Sequence, residues 1–246
     1  MCTLSWLPLP RGYAMAMNRD ERRTRAPARP PAPVAPDGVA ALIPIDGEAG
    51  GSWISVNCLG HALALLNRWE ESPLDPSGVF VSRGLLLTGL AGLTGPAEVD
   101  RALVASPLVS YRPFTLVSLA PETDPWLFEW NGRALERARV TRPGMVRTSS
   151  GRDQVGAERV RGALFREAAS SARGLTREAL FALHRSHLPE KGPLSVCMHR
   201  EEASTVSCSL ITVSASEVLF SYVNGPPGET EETSNYSLTR LLTTPE

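Results

Sequence analysis

Cys2-Thr3-Leu4-Ser5-Trp6-Leu7 and Tyr13-Ala14-Met15-Ala16-Met17-Asn18 flank Pro8-Leu9-Pro10-Arg11-Gly12, and the second run continues into Arg19-Asp20-Glu21. Two apolar runs around a Pro/Gly turn predict a β-hairpin. In an antiparallel hairpin the end of the second strand returns beside the start of the first, which places Arg19 and Asp20 near Cys2. Cysteine is small enough for removal of the preceding Met1, and that removal is expected. Cys2 would then carry a thiol and a free α-amino group on one residue. A thiolate is a strong nucleophile. An α-amino group, with a reference pKa of ≈ 7.7–8.0, serves as a base near neutral pH. A nearby cation lowers a thiol pKa, and a carboxylate can hold an amino group in place. Exposure at the sheet edge and the Arg19 charge are therefore expected to make Cys2 the most reactive of the four cysteines.

Outward from the hairpin, residues 22–36 hold five prolines among arginines and alanines and read as an extended surface segment. Residues 39–45 suit a strand. Residues 53–56 and 61–67 form a second hairpin across Asn57-Cys58-Leu59-Gly60. Helices are predicted at 83–93 and 98–105, with Pro96 near a start. Strands follow at 114–120, 126–130 and 133–140, the last two joined by Asn131-Gly132. Two further helices span 155–171 and 176–187, the second capped by Thr176. Strands at 194–199, 205–213 and 218–223 precede a tail from 225 that has no clear assignment. Blocks of strands alternating with grouped helices predict an α+β fold in one domain over residues 1–246.

The chain has 246 residues, 42% hydrophobic and 21% charged, enough apolar material for a substantial core and too much for general disorder. The net charge of −1 argues against nucleic acid as a partner. Lys191 is the sole lysine beside 24 arginines, a bias of the kind that GC-rich genomes produce. No apolar run approaches the roughly 18 residues of a membrane span, and the start lacks the pattern of a signal peptide. A cytoplasmic protein is expected, with Cys2, Cys58, Cys197 and Cys208 as free thiols. P-loop, dinucleotide-binding, HExxH and CxxC motifs are absent. Cys197 and His199 share one face of the strand predicted there, and Cys208 on a neighbouring strand is a third potential metal donor. Buried strand cysteines ordinarily serve packing, so no metal and no cofactor are expected.

Several separate pieces resemble one family. Met1-Cys2-Thr3, Asn18-Arg19-Asp20-Glu21, Gly50-Gly51-Ser52-Trp53-Ile54 running to Leu66-Asn67, and Ser82-Arg83-Gly84 are similar, in order and spacing, to motifs of the NRDE family, also called the transport and Golgi organisation type 2 family. That family in turn resembles the cysteine-type N-terminal-nucleophile hydrolases, which include penicillin V acylase and bile salt hydrolase. The resemblance implies a four-layer αββα sandwich and hydrolysis of a linear amide C–N bond in a small molecule. It further implies Cys2 as nucleophile, Arg19 and Asp20 as its organisers, and Asn67 as an oxyanion donor. Asn18 and Trp53 are expected to contact substrate. The chain departs from the pattern in three places. Thr205-Val206-Ser207-Cys208 lacks the family's arginine unless Arg200 replaces it, Thr148-Ser149-Ser150 lacks an asparagine, and Ser55 stands where a glycine is common. A second reading is a non-catalytic carrier for haem or lipid on the same fold, for which His61, His184, His187 and His199 are the potential haem ligands.

Overall fold

The computed structural model describes residues 2–69, 78–140, 146–170 and 175–242. Two antiparallel sheets face each other. The first sheet begins with the N-terminal hairpin, β1 (Cys2–Leu9) and β2 (Gly12–Arg22). The second runs through β3 (Arg29–Val34), β4 (Ala41–Ile45), β5 (Ile54–Asn57), β6 (Ala62–Asn67), β7 (Phe114–Leu119), β8 (Trp126–Trp130) and β9 (Leu135–Arg139) in that spatial order. The chain then returns to the first sheet with β10 (Val146–Ser149), β11 (Ala203–Val213), β12 (Glu217–Val223) and β13 (Ser234–Thr239). The first sheet is ordered β10-β1-β2-β11-β12-β13.

Strand alternation explains the layers. Successive side chains point to opposite faces. Leu4, Trp6, Met15 and Met17 pack inward against Leu42, Ile54, Val56, Ala64 and Val117 of the facing sheet. Ala14, Ala16 and Leu210 point outward under Phe165, Leu180 and Leu183. Those last three belong to α3 (Gln154–Ala169) and α4 (Arg177–Arg185). On the far side Leu63, Leu65, Phe114 and Phe128 are covered by α1 (Arg83–Leu90) and α2 (Pro96–Ala105) through Leu86, Leu87, Leu90, Val99 and Leu103. The result is an αββα sandwich whose central strands are buried on both faces. Among the described residues, no helix is long and apolar enough to cross a membrane.

Four segments differ from the sequence reading. Part of the proline-rich segment pairs with β4 as β3. Pro30, Pro31 and Pro33 are tolerated there because β3 is an edge strand, where missing donors break no central ladder. The stretch 194–199 is not a strand. The Ser195 hydroxyl contacts the Gly192 and Cys197 carbonyl oxygens at 2.8 and 2.6 Å, holding the run in a turn. The four-residue β10 flanks β1. Part of the unassigned tail pairs with β12 as β13, with Tyr236 and Leu238 against the core. Met1 and Ser171, to which the sequence reading assigned removal and a helix end, lie outside the described residues.

Candidate active site

A cleft of about 700 Å³ opens where β1 begins and β6 ends. Cys2, Arg19, Asp20, Trp53, Asn67 and Arg83 line it. Backbone packing brings its two walls together. A Cβ on Gly51 would stand 2.3 Å from the Gly84 carbonyl carbon, so only glycine allows the Gly51–Ser52 turn to meet the start of α1. The Ser52 N–H donates to the Gly84 carbonyl at 3.0 Å across that contact. The Gly50-Gly51-Ser52-Trp53 and Ser82-Arg83-Gly84 motifs are thus the two halves of one wall.

Cys2 lies between β2 and β10, paired with Arg19 on one side and Ser149 on the other. This position buries the residue to 8% exposure, contrary to the exposed thiol expected at a strand start. Burial pushes the Cys2 thiol up, and the Asp20 carboxylate adds to the rise. A hydrogen bond from the Asp20 backbone N–H and the Arg19 charge oppose it.

Arg19 is also buried. Its guanidinium pairs with Asp46 and lies 4.3 Å from the centroid of the Trp53 ring. Burial alone would raise the Asp46 carboxyl. Hydrogen bonds from Arg25 and the Ala49 N–H, with the charges of Arg19 and Arg25, lower it to about 2. Asp46 therefore holds Arg19 as a fixed charge in the cleft wall.

Asp20 accepts a hydrogen bond from Thr205 Oγ1 at 2.6 Å. Thr205 sits at a β-bulge where β11 changes register against β2, a common way of aiming side chains at a site. Behind Cys2, the fully buried Arg161 donates to the hydroxyls of Thr3 and Thr148 at 2.7 and 2.5 Å and lies 3.9 Å from Asp20. Burial lowers the Arg161 pKa, and Asp20 supports its charge. Sequence reading missed this residue. Its signal was the spacing Ala157-Arg161-Phe165, an arginine within the buried stripe of a helix.

Asn67 ends β6 on the facing sheet. Its backbone carbonyl accepts from the Ser149 hydroxyl at 2.5 Å, which fixes it beside β10, and the residue lines the cleft. Arg83 reaches the same cleft while donating to the Pro113 carbonyl at 2.7 Å. Burial and the neighbouring Arg112 lower its pKa to about 10.

Asn18 is corrected: it does not line the cleft. It points to the helical face of its sheet, is fully buried, and donates to the His184 and Val196 carbonyls at 2.9 and 3.0 Å. His184 bonds Ser5 and Asn18 through its two ring nitrogens, and burial lowers its pKa to about 3. His61 similarly bonds the Leu93 carbonyl and the Ser118 hydroxyl, and burial lowers its pKa to about 4. Both histidines are committed within the core. All four cysteines are free and buried.

No protein-family model matches the chain, and no curated protein matches it by sequence. Neither comparison supports the resemblance to the NRDE family expected from the motifs. Solved structures do match. Penicillin V acylase from Agrobacterium tumefaciens aligns with a TM-score of 0.54 at 12% identity, over 91% of this chain and 83% of the other. The C2A mutant of conjugated bile acid hydrolase from Clostridium perfringens aligns with a TM-score of 0.54 at 11% identity, over 99% of each chain. An N-acylethanolamine-hydrolysing acid amidase orthologue from Caenorhabditis elegans aligns with a TM-score of 0.58 at 10% identity, over 85% of this chain and 92% of the other. The sandwich therefore has the N-terminal-nucleophile hydrolase fold.

Proposed function

We propose that the protein hydrolyses a linear amide bond in a small molecule, with Cys2 as an N-terminal nucleophile. One observation carries the reading: Cys2, Asp20 and Asn67 line one cleft formed between the two sheets. The named solved structures, an acylase, a conjugated bile acid hydrolase and an acid amidase, share that sandwich. After removal of Met1, the Cys2 α-amino group takes the thiol proton as sulfur attacks the amide carbonyl carbon. A C–S bond forms, and negative charge develops on the carbonyl oxygen. The Asn67 amide makes no hydrogen bond to another described residue and is available to donate to that oxygen. The C–N bond breaks as the ammonium returns its proton to the leaving nitrogen. Water then attacks the thioester, its proton passes to the α-amino group, and the C–S bond breaks to release the acid and restore the thiol.

Arg19 and Asp20 organise the nucleophile, Arg19 through its fixed charge and Asp20 through its N–H and carboxylate. Trp53 forms an apolar wall under Arg19. Seven arginines and four acidic residues line the cleft, an excess that favours a substrate carrying an anionic group. Haem carriage is disfavoured at His61 and His184, whose ring nitrogens are bonded inside the core. Hydrolysis of an N-acyl amino acid panel by wild type and Cys2→Ala tests the reading. Cleavage by wild type alone supports it. Equal product from both proteins, or none from either across amides of every acyl class, contradicts it.

A further inference from the structure

A second cluster of reactive side chains lies outside the cleft, between the end of α4 and the start of β11. His187 follows α4, while Cys197 and His199 precede β11. The His187 and His199 Nε2 atoms are 3.0 Å apart, and Cys197 Sγ lies 3.7 Å from His199 Nε2. One ligand atom from each of the three residues falls within 4.8 Å of the others. Tetrahedral zinc with Zn–N near 2.0 Å and Zn–S near 2.3 Å sets its donors about 3.3 Å (N to N) and about 3.5 Å (S to N) apart. The His187–His199 and Cys197–His199 separations match this within a few tenths of an ångström, and the third pair lies within 4.8 Å.

The surroundings are shaped for the same purpose. The Gly228 backbone N–H and the Thr205 side chain lie beside the Cys197 sulfur. Polar neighbours of this kind around a ligand support a thiolate. A Cβ on Gly228 would stand 2.5 Å from His187 Cε1, so the turn packs its backbone on the imidazole. Glu229 follows, with Oε1 3.7 Å from His199 Nε2 and ion-paired with Lys191. Cysteine reading from strand periodicity pointed to Cys208 as the third donor. That residue lies in β11 beside Asn18 and Val223, whereas His187 completes the set because 194–199 is a turn.

We propose that His187, Cys197 and His199 bind one Zn²⁺, with Glu229 supplying the fourth position directly or through water. Two imidazoles and a thiolate suit zinc rather than the hard, oxygen-seeking magnesium or calcium. The ion joins the α4–β11 connection to the turn carrying Gly228 and Glu229. It also steadies Asp20 from a distance. Thr205 contacts Cys197, accepts the Met198 N–H at 2.8 Å and donates to Asp20 at 2.6 Å. The ion is thus a structural tie behind the site, and binding it requires no amide hydrolysis.

The test uses the full chain, stripped with chelator and reloaded with Zn²⁺ or Co²⁺. The expected result is one zinc retained per chain after desalting, a recovery of Tm on reloading, and a thiolate-to-cobalt charge-transfer band. Cys197→Ser should lose that band, and Cys208→Ser should keep it. Wild type supplies a second readout if a variant does not fold: zinc should protect Cys197, but not Cys58, from alkylation in peptide mapping. Failure to retain zinc at micromolar free metal would overturn the assignment. So would a thiolate band that survives in Cys197→Ser, or alkylation of Cys197 that zinc does not slow. None of these readouts depends on turnover, so they separate this proposal from that of the hydrolase.

Discussion

The two sheets are built in opposite ways. In the second, every spatial neighbour is also the next strand in sequence, from β3 to β9. In the first, β1 lies between β2 and the distant β10, and β2 lies between β1 and the still more distant β11. Cys2, Arg19 and Asp20 stand on the non-local sheet, while Trp53 and Asn67 come from the local one. The proposed nucleophile is therefore held by pairings between chain segments far apart. The proposed oxyanion donor is held by a simple meander. Geometry at Cys2 should respond to changes far away in sequence, and the Asn67 side should respond mainly to its own strand.

Matched core substitutions give the largest expected effects. Phe128→Ala removes a fully buried ring from the second sheet and should cost about 3–5 kcal/mol of stability. It should leave the alkylation rate of Cys2 in the folded protein unchanged. Arg161→Met removes a buried cation 3.9 Å from Asp20 and should cost a similar amount, about 3–5 kcal/mol. It should also slow Cys2 alkylation, because the positive charge that favours the thiolate is gone. Denaturant melts and alkylation kinetics on both variants check this. Equal alkylation in the two would erase the distinction between the sheets.

Next in size is Asn67→Ala. Loss of one oxyanion donor should reduce kcat about 10²–10³-fold on a cleaved amide, with KM little changed. A fall in Tm without a fall in kcat would make Asn67 a turn-capping residue instead.

A further effect is graded with pH rather than made by a single substitution, and each sheet has its own probe. His184 bonds two strands of the first sheet, and His61 bonds β7 of the second. Both have folded pKa values below the ordinary 6.5, about 3 and about 4. The unfolded chain therefore binds more protons as pH falls. Stability is present above pH 6.5 and is lost below it, by about 1.4 kcal/mol per pH unit for each histidine until its folded value is reached. Urea melts between pH 7 and 4.5 should show this slope. His184→Gln and His61→Gln should each remove part of it, and a flat profile in wild type would contradict the buried neutral rings.

The same contrast governs what could be read from sequence. The hairpins around Pro8–Gly12 and Asn57–Gly60 carry local turn chemistry and alternation, so the α+β class was legible in the residues, while the αββα layering came from the family resemblance. The edge strand β3 was hidden by Pro30, Pro31 and Pro33. β10 is four residues long and carries no signal without its partner β1. Ser195 turned an apolar run away from the strand its composition suggested. Within the site, proximity of Arg19 and Asp20 to Cys2 follows from hairpin register. Burial of Cys2 follows only from β10, and the commitment of Asn18 to α4 only from tertiary packing.

The central claim is that Cys2, freed of Met1, is the reacting nucleophile. Its most direct test is peptide mapping of native protein after a short exposure to an acylating, amide-directed electrophile. The account predicts a single acyl adduct on the peptide running from Cys2 to Arg11, with Met1 absent and Cys58, Cys197 and Cys208 unmodified. Retained Met1, or a Cys2 that stays unlabelled while another cysteine reacts, would contradict it.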